Sequence, residues 1–582
     1  MFQYTIMPEA HRHLWHITLS YEHTSGSLNI LKLANWVAGS YMIRDFSRHI
    51  VNISASLNNQ AIEITQLNKN TWQLPETNGA YQIHYTVYAN DLSVRASLLD
   101  SERGFIDGAC LFLYQPNRKH EMCHVQFFRL PEHWQIHTTL PRLSETSFQA
   151  QNYAELTDHP FEMGANLEVL EFNAHGIPHQ IVLSGYYPDF DRDRFISDCQ
   201  KICEHELQMF PSPAPFKNYL FLLHLGNKIY GGLEHISSTA LHADRYALPP
   251  HGLQAANAAY TELLGLIAHE YFHAWNVKSI KPQQFQDYDL DKEIFTEQLW
   301  AYEGITSYYD DLTLVRSGVI SVENYLNLLA NNITRVHRNE GRKQQTLAQS
   351  SFAAWHKYYK QDENSPNAIT SYYQQGALFA LCLDLVIRAN STHSLDYIMQ
   401  TLYQYAINTG KGTSEGEWQK LAIQITELNL QDFFQLGLHS TQDLPLDACL
   451  ETVGVELRWL PENRSAGNGG LVREFPNIAP QAELGCRYQQ QADGAVISHV
   501  FSNGSAELAT LKPQDKIIAV NGFACTDFAA QTQTAVGDVH TLHFFRHGVL
   551  LQTDLTVQPA AANTAYLCVR DENLLSKWLF NQ

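Results

Sequence analysis

The sequence predicts a multidomain α+β protein. Three observations carry that expectation. The chain has 582 residues, more than one ordinary hydrophobic core organises. Its N-terminal part is patterned for strands. A long central part is patterned for helices, after which strand patterning returns.

The N-terminal part alternates. Trp15, Ile17, Leu19 and Tyr21 are interleaved with His16, Thr18 and Ser20, and Tyr81, Ile83, Tyr85 and Val87 repeat the pattern. Period-two alternation marks half-buried strands, and Asn58-Asn59 and Asn78-Gly79 supply breaks between them. A β-sandwich-like domain is expected over residues 1–165. Within it, the stretch from Gly39 to Arg48 sets mixed charge in apolar surroundings and reads as a structural loop or an interface.

Pro211-Ser212-Pro213-Ala214-Pro215 is a rigid break. Tyr219 to Leu225 then reads as a buried strand, followed by Tyr230-Gly231-Gly232-Leu233-Glu234-His235. Paired glycines at a strand edge admit another backbone closely, and the carboxylate just beyond is placed to receive an ammonium group. A plain Gly-Gly turn with an exposed glutamate is the competing reading.

Next comes the stretch around which the chain is organised, His269-Glu270-Tyr271-Phe272-His273. Residues four apart share a helix face, so His269 and His273 can hold one metal ion. Glu270 can then exchange protons with a water activated by that metal. Tyr260, Leu264, Ile267, Tyr271 and Ala274 form an apolar stripe on another face, as a packed helix requires. With 28 histidines in the chain, chance produces such a motif at a rate on the order of one in ten. A third ligand and a substrate motif are therefore needed.

A second helix is expected from near Phe295 to Ser317-Gly318, and it carries Glu303. Structural zinc favours cysteine-rich, closed sites, whereas two histidines and one carboxylate leave a position for water. Glu303 is the candidate carboxylate. Residues from about 320 to 445 are helical in pattern, and Tyr372 and Tyr373 precede the apolar helix Ala377 to Leu385. A phenol facing a cleft there could donate to an oxyanion, although packing is the commoner role for such a tyrosine. After residue 446, a flexible loop over 461–470 is followed by strands at 495–500 and 516–520, the latter closing in the Asn521-Gly522 turn.

Composition narrows the function. The chain carries 39 basic and 60 acidic residues, a net charge of −21, which argues against nucleic acid as a partner. No apolar run is long enough to span a membrane, and the first residues lack the pattern of a signal peptide. Nine scattered cysteines do not resemble a disulfide framework. A cytoplasmic protein with free thiols is expected.

These motifs together resemble the glycyl aminopeptidase family of zinc peptidases, gluzincins that end in a PDZ domain. Four stretches carry the resemblance: Gly39 to Arg48, Gly231 to His235, His269 to Lys278, and Trp300-Ala301-Tyr302-Glu303-Gly304-Ile305-Thr306-Ser307-Tyr308-Tyr309. It implies a thermolysin-like catalytic domain over 166–325, a helical domain over 326–445 and a PDZ-like domain with its tail over 446–582. It also implies one zinc ion on His269, His273 and Glu303, with Glu270 as general base. The ligand spacing of better-known related aminopeptidases falls instead on Lys292, with Glu293 nearby. The Glu-Gly pair within an aromatic helix favours Glu303.

Gly231-Gly232-Leu233-Glu234-His235 is similar to the Gly-x-Met-Glu-Asn motif of those relatives. There the glycine backbone pairs with substrate and the glutamate holds the free α-amine, so the resemblance gives these roles to Gly231, Gly232 and Glu234. His235 departs from the motif. Tyr373, in Tyr-Gln-Gln-Gly, resembles the oxyanion-stabilising tyrosine of Tyr-Glu-Lys-Gly. The C-terminal region resembles a bacterial-type PDZ domain through Gly504-Ser505-Ala506, Leu511 to Asp515 and Val520-Asn521-Gly522. Thr510 and Gln514 stand there where glycine is frequent. Such a domain could take a peptide C-terminus or add a peptide strand at its edge, the Glu483-Leu484-Gly485-Cys486 stretch being the candidate cradle.

The expected function is thus zinc-dependent release of N-terminal residues, small ones by the family's name, from peptides with free N-termini. Two alternatives stay open on the sequence: a zinc endopeptidase whose PDZ domain recruits substrate, and a peptide-binding or chaperone-like protein with a vestigial metal site.

Overall fold

The computed structural model describes residues 1–580 except positions 25 and 288. The chain forms two compact units. The first comprises Met1–Ile294, Ser317–Val319 and Gln400–Ser414, and the second comprises Phe295–Arg316, Ile320–Met399 and the chain from Glu415 onward.

In the first unit, β1 (Phe2–Glu9), β2 (Leu14–His23) and β3 (Gly79–Tyr88) are neighbours in an eight-stranded sheet. The two alternating runs of the sequence pair with each other. Trp15 lies opposite Val87, Ile17 opposite Tyr85, Leu19 opposite Ile83 and Tyr21 opposite Tyr81. All eight side chains are buried, and the rings of Tyr21 and Tyr81 stack at 5.5 Å. Such cross-strand pairs fix the register, because a one-residue slip would turn all of them to water.

The same unit holds a five-stranded sheet of β4 (Glu168–Ala174), β5 (Ile177–Gly185), β6 (Tyr219–Gly226), β7 (Gly231–Glu234) and β8 (Ser238–Asp244), in the order β4-β5-β6-β8-β7. β5, β6 and β8 run parallel, and β7 closes the edge antiparallel to β8. The central β6 is apolar on both faces, as covering on both sides demands. Helix α1 (Ala258–Phe272) packs on β7 and β8. Asn257 caps it by accepting a hydrogen bond from the Tyr260 amide.

The second unit begins with a difference from the sequence expectation. The helix starts near Leu299, not Phe295, as a π-helical turn over Trp300–Gly304, and continues as α2 (Ile305–Arg316). Side-chain hydrogen bonds hold the preceding residues out of the helix. Thr296 donates to Glu415, which also accepts from the Glu297 amide, and the Gln298 amide donates to the Thr296 hydroxyl. Then follow α3 (Val322–His337) and α4 (Gln374–Asn390). A Cβ on Gly304 would lie 2.6 Å from the Gly376 Cα, so the π turn and α4 meet backbone to backbone.

The C-terminal sheet of this unit contains β9 (Cys486–Gln491), β10 (Gly494–Val500), β11 (Lys516–Val520), β12 (Val539–Arg546) and β13 (Val549–Thr556) in sequence order, with the short helix α5 (Phe528–Thr532). Leu484, Ile497, Ile517, Phe528, Leu542 and Leu555 belong to one buried cluster. Thr510 and Gln514, which replace the usual glycines, both adopt left-handed backbone, with φ of 60° and 73°. Arg546 holds this turn by donating to the Thr510 carbonyl and to both oxygens of Asp515. The loop expected to be flexible is pinned: the Asn463 amide donates to Gln481 and the Arg464 amide to Glu483. Among the described residues, no helix is long and apolar enough to cross a membrane, and all nine cysteines are free.

Candidate active site

The His269-Glu270-Tyr271-Phe272-His273 stretch lies at the C-terminal end of α1. His269 and His273 point at each other, with Nε2 atoms 3.1 Å apart. Nitrogen lone pairs converge this closely around a cation or a shared proton. The Nδ1 of His273 lies 2.8 Å from the Asn276 carbonyl. That contact makes Nδ1 the protonated nitrogen and leaves Nε2 to a metal. The donor set therefore fits a zinc ion. Beyond His273 the chain turns sharply through Val277, whose φ is 99°. A β-branched residue rarely adopts this backbone, which is a strained conformation of the kind found next to functional sites.

Glu270 lies in the first unit with its Oε2 buried and without a hydrogen-bond partner. Burial pushes its carboxyl up to about 7; the imidazoles of His269 and His273 oppose this and the Glu234 carboxylate adds to it. Glu234, Glu270 and His273 each bring one ligand atom into a set spanning no more than 4.8 Å. Glu234 ends the edge strand β7 and is itself buried.

The glycines make this close approach possible. A Cβ on Gly232 would strike the Glu270 carboxylate, and a Cβ on Gly39 would strike that of Glu234. The Gly39 stretch, expected to be a structural loop or an interface, therefore forms one wall of the Glu234 site. Its mixed charge in apolar surroundings and its part in the family resemblance were its traces in the sequence. Arg95 donates to the Gly232 carbonyl at 2.6 Å, so one backbone group of the glycine pair is already engaged. His235, the departure from the relatives' motif, is buried and lies 3.3 Å from Asp158, which also receives the Lys278 ammonium at 2.5 Å. Asp158 thus ties the segment after Glu234 to the segment after His273. Arg95 and Asp158 lie outside every motif stretch, and although Gly39 and Lys278 lie within such stretches, no spacing links them to Glu234 or Asp158.

In the second unit, Glu303 lies on the π turn and is buried, next to the Gly304–Gly376 contact. Glu293, its rival in sequence, is exposed and outside any helix. Tyr373 stands at the start of α4 among four tyrosines. Its ring is 4.6 Å from that of Tyr372 and 5.6 Å from that of Tyr358, and its hydroxyl is 3.5 Å from that of Tyr359. Tyr372 is fully buried, whereas Tyr373 keeps part of its surface accessible. Burial raises the Tyr358 phenol, and the Glu303 carboxylate adds to the effect, so Tyr358 stands near both Glu303 and Tyr373.

Three family models match the chain. A family model for the peptidase M61 N-terminal domain matches residues 3–165, one for M61 glycyl aminopeptidase matches residues 262–379, and a PDZ domain model matches residues 474–538. The chain is a peptidase of the M61 type. A crystal structure of an aminopeptidase N family protein from Idiomarina loihiensis is 37% identical, covers 100% of both chains and superposes with a TM-score of 0.94. The chain belongs to the M61 glycyl aminopeptidase family. A more distant match, an M1 zinc metallopeptidase from Deinococcus radiodurans, is 12% identical over 76% of this chain and 94% of that one, with a TM-score of 0.48. No curated protein matches.

Proposed function

We propose that the chain is a one-zinc aminopeptidase that releases small N-terminal residues, glycine or alanine, from peptides. Its zinc ligands are His269, His273 and Glu303, a reading supported by the His-Glu-x-x-His and Glu-Gly motifs of the sequence and by the burial of Glu303 on its π turn. Glu293 is exposed and outside any helix. Bound zinc supplies the Lewis acid that polarises the scissile carbonyl and the attacking water.

Glu270 takes the proton of that water on Oε2 and returns it to the leaving amine nitrogen. Glu234 receives the α-ammonium of the substrate. A blocked N-terminus would leave that buried carboxylate unpaired, which is costly and makes the enzyme an exopeptidase. Gly231 and Gly232 keep the edge of β7 free of side chains for the substrate backbone, while Arg95 steadies the Gly232 carbonyl. Tyr373, the more accessible of its pair, donates its hydroxyl to the developing oxyanion. The preference for a small first residue follows the family description. The PDZ-like domain adds a peptide strand or takes a chain end, and free thiols suit the cytoplasm.

The observation that carries this reading is Glu270, a buried carboxylate with an unpartnered oxygen beside His273 and Glu234. The test is release of glycine or alanine from matched peptides with free and N-acetylated ends, before and after chelation and zinc restoration. Chelator-sensitive release from free amines alone is expected, with Glu234→Ala losing most of it. Equal cleavage of both peptides would indicate an endopeptidase. Zinc-loaded protein that cleaves neither would indicate a peptide-binding protein.

A further inference from the structure

The second unit contains a cavity of about 900 Å³ that the proposed chemistry leaves unused. Its walls come from α3, from the segment around Tyr358 and Ser371, from the pinned 461–470 loop and from the start of the PDZ-like domain. In a chain of net charge −21, four arginines line it: Arg335, Arg338, Arg464 and Arg487. Glu483 is the one carboxylate in the lining, and it is already committed. Its Oε2 accepts from the Arg464 amide and its Oε1 from the Gly485 amide.

Uncharged groups and an aromatic ring make the direct contacts to these guanidinium groups. Arg338 donates to Asn468 and Thr564, both uncharged, and its Nε is buried without a partner. Arg464 lies 4.2 Å from the centre of the Phe501 ring, and Arg487 lies 5.6 Å from the same ring. Among the described residues, no carboxylate forms an ion pair with Arg335, Arg464 or Arg487. Burial depresses the Arg464 guanidinium; the Glu483 and Glu340 carboxylates oppose this and the like charge of Arg487 adds to it. Clustered cations held on an aromatic ring around an open volume form a receptor for carboxylate.

The position of the cavity says which carboxylate. Tyr358 is part of its wall and also packs on Tyr373, the proposed oxyanion donor, with Glu303 nearby. The cavity therefore begins beside the reacting groups of this unit and ends at the arginines. The backbone cradle expected at Glu483-Leu484-Gly485-Cys486 is partly filled from within, since Glu483 takes the Gly485 amide. Capture of a chain end here falls to side chains.

We infer that this cavity binds the downstream part of the substrate, with a substrate carboxylate held by Arg335, Arg464 and Arg487, so that short acidic-ended peptides are preferred. The inference rests on the aminopeptidase reading above. The volume suits roughly two to four residues beyond the scissile bond.

The test uses the full-length zinc enzyme and alanine-initiated peptides of increasing length, each as free acid and as C-terminal amide. Alanine para-nitroanilide, which has no downstream carboxylate, is the control. At the best length the free acid should exceed the amide by about tenfold in kcat/KM, mainly through KM. The double variant Arg335→Gln, Arg487→Gln should lose that preference while hydrolysing the nitroanilide at the parent rate and melting at the parent temperature. An amidated peptide carrying a downstream Asp separates the two sources. Restored activity assigns the carboxylate to a side chain, and no restoration assigns it to the chain end. Equal rates for acid and amide at every length would overturn the inference, as would a preference that survives in the double variant. Failure to hydrolyse the nitroanilide at all would overturn the aminopeptidase reading, and this inference with it.

Discussion

Glu270 and Gly232 show how the chain builds its chemistry from single residues. Glu270 keeps a buried oxygen for which the described residues supply no partner, and Gly232 makes the room for it. Glu270→Gln should therefore keep its fold and its zinc yet lose turnover by roughly 10²–10⁴-fold. Gly232→Ala should lose turnover too, because the added methyl must displace the same carboxylate. Assays of kcat beside zinc content check both, and a near-parental rate in Glu270→Gln would remove it as the base. His269, Glu270 and His273 were legible because their geometry is local, four residues being about one helical turn. Arg95 on Gly232 and Asp158 on Lys278 were not, because their partners lie 137 and 120 positions away. No periodicity in the chain encodes such pairs.

The elements follow the same division. Strands β2 and β3 were evident because alternation is a property of consecutive residues, and their pairing in register follows from burying both apolar faces together. The π turn that carries Glu303 was not, since the Thr296–Glu415 contact that delays the helix joins distant residues. The five-stranded sheet also holds α1 through His179 on β5, whose Nε2 is 2.9 Å from the Tyr271 hydroxyl. Burial pushes His179 down to about 4 and His242 on β8 down to about 3. Both stay neutral when folded but take up a proton when unfolded below about pH 6.5. Their contribution to stability is complete above that pH and is lost as pH falls toward 4. In the presence of chelator, unfolding midpoints should fall across this window. His179→Gln should lessen the fall by about 1–3 kcal/mol; an unchanged pH profile would show that His179 takes no part.

At the scale of the whole chain, the family resemblance and the structure agree on which modules are present, and the structure adds how the unusual residues are accommodated. Thr510 and Gln514 occupy left-handed positions braced by Arg546, so the PDZ-like domain keeps its turn without the usual glycines. The net charge of −21 had argued against nucleic acid as a partner. It conceals a basic cavity, because a sum over the chain says nothing about where arginines gather.

The central claim is a catalytic zinc held by His269, His273 and Glu303. The most direct test is zinc content per chain in the parent, Glu303→Ala and Glu293→Ala, measured after dialysis against a weak chelator. One zinc in the parent and in Glu293→Ala, with most of it lost from Glu303→Ala, is the predicted result. Full zinc in Glu303→Ala, with loss in Glu293→Ala, would contradict it.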